Sequence, residues 1–505
     1  MPSLKLALIH SRVDHKQPEL NRKNLLTLFR QAGEKGAHLV VGPELSISGY
    51  SFNSRQDIAP YAETATGPTL TALADLARTY GFFACIGLAE HDTQTGILYN
   101  SAFVVGPTGE IVCRYRKINA ESRWACSGNP KEDNTFATPW GRVGVLVCSD
   151  SYHSLMPRVT ALRGANLLLI LANWPPSGVD PAELWRARAL ENGFSVAACN
   201  RTGMDLAMDC HQATSAVVDD HGTMLLNEHH QQSTIIMTSL PLQADNQLKA
   251  AQRLGKMASR HWPGMHDCCL NLSAIMDLTS FLQLPTPGPL LISCIVVGAQ
   301  EQAVAALQAA NTDRDQLPDT LSLLPALGYS DATLNQIQAC CAVSGQRVAL
   351  CRETPQGSTF FWFDGALAPQ QISWNLSPDS ALDALPRFDC GPARVLLAPF
   401  ASLYHPEVAL AAAKQGCDLA IACERLLSEE DRLVAGARTI DNLAIAACST
   451  EGGGIWMTPG GHQRWEEQLA GPRESCRFVL DTNRTRKKRF QDRIDFETLF
   501  HGATG

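Results

Sequence analysis

No stretch of this chain reaches the roughly 18 consecutive apolar residues that a membrane span needs. Nor is there a surplus of positive charge. The formal net charge is −8, which leaves no electrostatic footprint for nucleic acid. The one basic cluster, Arg484-Thr-Arg-Lys-Lys-Arg489, runs into Phe490 and reads as a solvated turn. A Gly-rich phosphate loop and a ligand cluster at metal spacing are also missing, so no metal and no organic cofactor are expected. Cysteine is plentiful, but its 17 copies are odd in number and lack framework spacing. Cys85, Cys199, Cys294, Cys423 and Cys448 lie inside apolar runs as small buried hydrophobes. The adjacent pairs Cys268-Cys269 and Cys340-Cys341 have no second pair at zinc-site distance. The N-terminus lacks a charged region followed by a long apolar stretch and a cleavage site; residues 4–9 read as a first strand. These absences predict a cytoplasmic protein with a small-molecule partner and neither nucleic acid nor membrane.

What is present is length and alternation. A chain of 505 residues exceeds one ordinary core, so two domains are expected. Strand-like runs at Leu4–His10 and Ala37–Val41 flank Leu20, Leu25, Leu28, Phe29 and Ala32, which recur at helical spacing. A helix over Thr69–Thr79 precedes a strand at Phe82–Ala89. A hairpin, Ser101–Val105 and Ile111–Tyr115, turns at Gly106-Pro-Thr-Gly109. Further strands are expected at Val143–Val147, Leu167–Ala172 and Phe194–Cys199, with helices through Leu155–Arg163 and Ala182–Glu191. This mixture implies an α/β class of fold, with sheets covered by helices.

The order then repeats. Ser48-Gly-Tyr-Ser51 is echoed by Leu327-Gly-Tyr-Ser330, Ala187-Arg-Ala-Leu-Glu-Asn192 by Ala437-Arg-Thr-Ile-Asp-Asn442, and Ala197-Ala-Cys199 by Ala446-Ala-Cys448. The preserved order predicts a duplicated architecture. Its domains are placed at 1–286, with a linker from about 245 to 286, and at 287–505.

Three residues of the first half close strand-like runs. They are Glu44 in Gly42-Pro-Glu-Leu45, Lys117 in Arg114-Tyr-Arg-Lys117, and Cys148 in Val143-Gly-Val-Leu-Val-Cys-Ser-Asp150. A thiol nucleophile, a carboxylate base and a cation suit acyl transfer from an amide or nitrile. Each alone has a bland reading: a packed cysteine, a solvated strand end, a surface charge. In the second half the counterparts are blank. Counting back from Gly-Tyr-Ser sets Leu323 against Glu44, strand spacing sets Ala398 or Pro399 against Cys148, and the hairpin end reads Gln371-Ile-Ser-Trp374.

With those residues go Tyr115-Arg-Lys117, Leu171-Ala-Asn-Trp-Pro175, Arg186-Ala-Arg-Ala-Leu-Glu-Asn192 and Asn200-Arg-Thr-Gly203. Across residues 1–250 the chain resembles the nitrilase superfamily of carbon–nitrogen hydrolases, its amidase branches above all. The resemblance implies a four-layer αββα sandwich, here duplicated, its two nitrilase-like domains packed as an intrachain pseudo-dimer, with further homo-oligomers open. It also implies Cys148 as nucleophile, Glu44 as general base, Lys117 as oxyanion-stabilising cation and Glu121 as the second, orienting glutamate. Tyr50, Ser149, Asn173 and Trp174 are candidates for substrate contact. Three features depart from the family pattern: Ser149 stands where an aromatic is usual, Lys117 and Glu121 are only four residues apart, and Tyr152-His-Ser-Leu-Met-Pro157 replaces an Arg-Phe-Pro-Glu-type segment.

The expected activity is hydrolysis of a small linear carboxamide through a cysteine thioester. The alternatives are a nitrilase, acyl transfer to an amine, and a non-catalytic binding or regulatory protein. His153 is placed at a helix start or the pocket rim, and Arg201 and Arg123 are read either as holders of a substrate carboxylate or as partners in surface or interface salt bridges.

Overall fold

A computed structural model describes residues 2–206, 208–249, 277–311, 320–374, 385–423, 428–459, 463–471 and 475–486. The Cys268-Cys269 pair, residues 250–276 of the connecting stretch and the end of the basic cluster lie outside them. The chain falls into two compact units, the first within residues 1–260 and the second within 261–492.

The first unit carries strands β1 (Ser3–His10), β2 (Leu39–Val41), β3 (Phe83–His91), β4 (Leu98–Val105), β5 (Ile111–Arg116), β6 (Thr135–Thr138), β7 (Gly141–Val147), β8 (Leu167–Leu171), β9 (Ser195–Cys199), β10 (Ser215–Val218), β11 (Met224–Glu228) and β12 (Thr234–Pro241). They form two six-stranded sheets, ordered β12-β1-β2-β3-β4-β5 and β11-β10-β9-β8-β7-β6. Central strands pair in parallel, β1 to β2 to β3 and β7 to β8 to β9. Buried on both faces, such strands read as unbroken apolar runs, and Leu167–Leu171 is buried throughout.

Helices Pro18–Glu34 and Pro68–Tyr80 cover the first sheet, and Leu155–Leu162 and Pro181–Asn192 cover the second. The sheets face one another, so the unit is an αββα sandwich. In Pro18–Glu34 the buried stripe is Asn21, Leu25, Phe29 and Ala32, a helical period, whereas Leu20 is solvent-exposed. Pro181–Asn192 starts on the Asp180 side chain and stops at Gly193, whose φ of 71° lies in the left-handed region.

The second unit has β13 (Pro289–Cys294), β14 (Thr320–Leu323), β15 (Arg347–Thr354), β16 (Gly357–Asp364), β17 (Gln370–Ile372), β18 (Arg387–Cys390), β19 (Ala393–Leu397), β20 (Leu419–Ala422), β21 (Ala444–Ser449), β22 (Gly452–Met457), β23 (Glu466–Ala470) and β24 (Cys476–Asp481). Its sheets run β17-β16-β15-β14-β13-β24 and β18-β19-β20-β21-β22-β23. That is the strand order of the first unit, element for element. A core of Leu290, Ile292, Leu323, Trp362, Val395, Ile421, Ala446 and Ile455 lies between them. Residues 282 and 283 belong to this unit, since Arg394 donates to the carbonyls of Leu282 and Gln283 at 3.1 and 3.2 Å.

Candidate active site

Glu44, Lys117 and Cys148 leave the C-terminal ends of β2, β5 and β7, where the facing sheets open. Glu44 is drawn across from one sheet to the other: its backbone N–H donates to the carbonyl of Ala172, just past β8, at 3.4 Å. The approach depends on Gly87, where an added methyl would lie 2.7 Å from the Glu44 Cα. Cys148 opens a short 3₁₀ turn, Cys148–Ser151, and its φ of 47° puts a non-glycine residue in the left-handed region. Such a backbone costs about 1–3 kcal/mol and aims the side chain away from the strand. The Ser151 hydroxyl donates to the Cys148 carbonyl at 2.7 Å and holds the turn.

One ammonium lies between two carboxylates. Lys117 Nζ donates to Glu44 Oε1 at 2.7 Å and to Glu121 Oε1 at 2.5 Å. Asn100 Nδ2 spans the same pair, 2.7 Å from Glu44 Oε1 and 3.0 Å from Glu121 Oε2. Tyr50 Oη donates to Glu121 Oε1 at 2.9 Å. Glu44 Oε2 is buried and has no hydrogen-bond partner among the described residues. That oxygen is the one a base needs free.

The carboxylates differ in proton affinity. Burial raises Glu44, the Lys117 ammonium opposes it, the neighbouring Glu121 charge adds to the rise, and the net direction is upward. Burial also acts on Glu121, but the attraction and hydrogen bond of Lys117 outweigh it and hold this carboxyl below its usual range. Lys117 stays charged, because Glu121 and Glu44 overcome its desolvation. For Cys148, burial first and the Glu44 charge second push the thiol well above its ordinary value. The resting sulfur is therefore a thiol, and its ionisation requires a base at the moment of reaction.

Asp150 is a residue whose role the sequence left unread. Fully buried, it accepts from Tyr115 Oη at 2.6 Å, from the backbone amides of Ile118 and Asn119 at 2.9 and 2.7 Å, and from Asn119 Nδ2 at 2.8 Å. It ties the segment after Lys117 to the turn bearing Cys148. Asp150→Ala is expected to lower kcat by about 10²-fold, because ångström-scale misplacement costs that much. The check is steady-state kinetics beside a circular dichroism spectrum; an unchanged kcat in the folded variant counts against the tie.

The other candidates divide. Asn173 is buried; its backbone amide opposes the rise of the Cys148 thiol, and its Oδ1 accepts from Arg201 Nε at 2.6 Å. Trp174 is half-buried against the rings of Tyr152 and Trp185. The Ser149 hydroxyl donates to the Asn119 carbonyl at 3.2 Å. His153 packs edge-on against Tyr152. Arg123 is exposed. Arg201 is wholly buried and turned inward to Asn173, the Val13 carbonyl and Asp205, an ion-pair position inside the unit and not at its surface. Asp205 in turn accepts from the Tyr50 amide at 2.9 Å. Asn100 had one sequence signal, an amide within Leu98–Val105, whose only other polar residue besides Tyr99 is Ser101.

Strand register identifies the matching positions of the second unit. Val41 pairs with Cys85 and the next amide bonds the Cys85 carbonyl; Leu323 and Ala349 repeat this, which sets Ala326 in the place of Glu44. Counting from Gly-Tyr-Ser misses by three, because Gly49 comes eight positions after Val41 but Gly328 only five after Leu323. Val143 with Leu167 and Val395 with Leu419 set Phe400 against Cys148, in place of Ala398 or Pro399. Like Cys148, Phe400 opens a 3₁₀ turn. Phe103 with Arg114 and Phe361 with Gln371 set Trp374 against Lys117. Acid, cation and thiol are replaced by Ala326, Trp374 and Phe400.

Comparison with known proteins adds relatives. A family described as carbon-nitrogen hydrolase matches residues 7–250. A nitrilase of Pyrococcus abyssi is 33% identical over 207 residues, 40% of this chain and 76% of that protein. The omega-amidase of Mus musculus is 29% identical over 257 residues, 48% of this chain and 90% of that protein. A crystal structure of a Saccharomyces cerevisiae protein from branch 10 of the nitrilase superfamily covers 55% of this chain and 96% of its own, at 19% identity and a TM-score of 0.44.

Proposed function

Since the chain belongs to the carbon–nitrogen hydrolase family, we propose that its first unit hydrolyses a small linear carboxamide, releasing ammonia and a carboxylic acid. The observation that carries this reading is the buried Glu44–Lys117–Glu121 cluster beside Cys148, with one Glu44 oxygen free. Glu44 takes the thiol proton as sulfur attacks the carbonyl carbon. Lys117 and a backbone N–H, that of Ser149 or Asn173, stabilise the tetrahedral oxyanion, an effect worth about 3–4 kcal/mol per donor. The proton then passes from Glu44 to the departing ammonia, leaving a thioester on Cys148. Water, deprotonated by Glu44, releases the acid. Glu121 orients the ammonium and, held below its usual range, stays ionised throughout.

The omega-amidase relative favours amides and the Pyrococcus abyssi relative favours nitriles as a second reading. Matched amide and nitrile panels separate them. Ammonia release and an intact-mass acyl adduct are expected with amides; adducts from nitriles alone overturn the amide reading, and an adduct absent with both overturns the family chemistry. The reducing cytoplasm suits a protein whose described cysteines are all thiols.

The second unit, on this proposal, is a degenerate copy acting as the non-catalytic half of an intrachain pseudo-dimer. Its support is the identical strand order and the apolar Ala326, Trp374 and Phe400. Residues 1–286 expressed alone are expected to be unstable or poorly active. A soluble, fully active fragment overturns the scaffold role.

A further inference from the structure

Three thiols meet inside the second unit. Cys294, the last residue of β13, stands directly opposite Cys476, the first residue of β24, in an antiparallel pairing. Residues so opposed point to one face with Cα atoms about 4.5 or 5.5 Å apart, and disulfides form between Cα atoms about 4.4–6.8 Å apart. The shared face is the interior one: Cys294 alternates into the core with Leu290 and Ile292, and Cys476 packs against that core ahead of Phe478 and Leu480. Cys448 lies in the same buried cluster as Cys294, with Cys476 packed against it, and both neighbouring thiols act on the proton affinity of Cys294. Cys294 and Cys448 are sealed from solvent, whereas Cys476 is half-buried at the strand's open end. One thiol of the three meets solvent.

The sandwich itself does not call for this cluster. Register places Leu8 and Ile236 of the first unit at the positions of Cys294 and Cys476. An ordinary aliphatic cross-strand pair there serves the same fold. Only Cys448 has a thiol counterpart, Cys199, and the two make the same contact, sulfur to the carbonyl of Ile295 or Ile9. Among the described residues no group of three is placed to hold a metal ion.

We propose that Cys476 and Cys294 are an oxidative modification site, at which a hydroperoxide-class oxidant drives formation of a disulfide clasping the first and last strands of the second unit. Peroxide oxygen is transferred to the Cys476 sulfur, giving a sulfenic acid and one water. The Cys294 sulfur then attacks the Cys476 sulfur. Its own proton and the departing hydroxide leave as a second water. Two thiols lose two electrons, and one hydrogen peroxide becomes two waters. A dithiol reductant reverses the change by exchange. A hydrogen bond with Cys448 first, and burial after it, push the Cys294 thiol well above its ordinary value; its burial shields it from outside oxidants, and it reacts because its target stands opposite it across the strand pair. The bond closes a loop that contains most of the unit, and long loops restrict the unfolded chain most.

The full chain, treated with stoichiometric hydrogen peroxide, alkylated and digested by a protease that cuts between Cys269 and Cys294, tests the site. Peptides containing Cys294 and Cys476 are expected as one joined species that dithiothreitol separates. The oxidised protein should melt higher by about 5 °C or more. Cys476→Ser should show neither the link nor the shift, and Cys294→Ala should carry Cys476 onward to sulfinic acid. Recovery of Cys476 as sulfinic acid in the unmutated chain, a Cys294–Cys448 link instead, or alkylation of both thiols after oxidation overturns the proposal.

Discussion

Cys148→Ala should reduce turnover of any amide substrate by about 10⁴–10⁶-fold, the usual cost of deleting a covalent nucleophile, while the protein stays folded. The two halves of that expectation have separate causes. Turnover collapses because no other group near Glu44 can form the thioester; Ser149, the next residue, is bound to the Asn119 carbonyl through its hydroxyl. The fold survives because the Cys148 turn is held from outside the side chain, by the Ser151 hydroxyl on its carbonyl and by Asp150 on the Lys117 segment. Alanine also relieves Glu44 and Lys117 of nothing they are bonded to, so stability should move by less than about 1 kcal/mol. Ammonia release measures the first half and a thermal melt the second. Residual turnover within a hundredfold of the parent would remove Cys148 from the mechanism.

Lys117→Met has a different signature, because it damages stability and activity together. The substitution leaves two buried carboxyls with no cation between them, and breaking a buried ion pair costs about 3–5 kcal/mol. On the proposed mechanism it also deletes an oxyanion donor, worth about 10²–10³ in kcat. The stability loss should depend on pH. Without the ammonium, burial raises both Glu44 and Glu121, so the native state keeps protons that the unfolded chain has released. Stability then falls as pH climbs from the ordinary glutamate range through the raised native values, and the deficit is smallest in acid. Urea denaturation on both sides of that interval reads the slope. A deficit that is flat with pH, or greater in acid, would show that Lys117 does not neutralise the pair.

The candidate site was legible in sequence where a reactive residue ended an apolar strand. Glu44 and Cys148 follow such runs, whereas Lys117 follows β5, an alternating strand that two antiparallel reversals turn to run in the direction of β3 and so to end at the same edge. The residues that hold them were less visible. Asp150, Asn100 and Asp205 act through contacts with residues 32, 21 and 155 positions away, and no local pattern encodes partners at such distances. The edge strands β12 and β24 were missed for a related reason. Thr234–Pro241 is mostly half-exposed, so its apolar signal is weak, and its pairing with β1 is what makes it a strand.

The repeat shows the division most clearly. The chain's own letters sufficed to propose two similar halves and to find reactive groups in only one. They placed the Lys117 counterpart within Gln371–Trp374 but missed the other two by a few residues, the Glu44 counterpart because a three-residue shortening before Gly328 shifts a count made from Gly-Tyr-Ser. Backbone pairing absorbs that shortening in a loop and keeps the strands opposed, which is how Ala326, Trp374 and Phe400 came to light. Periodicity and strand-end chemistry are local, so the order of residues alone could specify them. Proton affinities, the free Glu44 oxygen and the meeting of Cys294 with Cys476 depend on burial and on neighbours from distant strands, and only the folded sheets bring those into being.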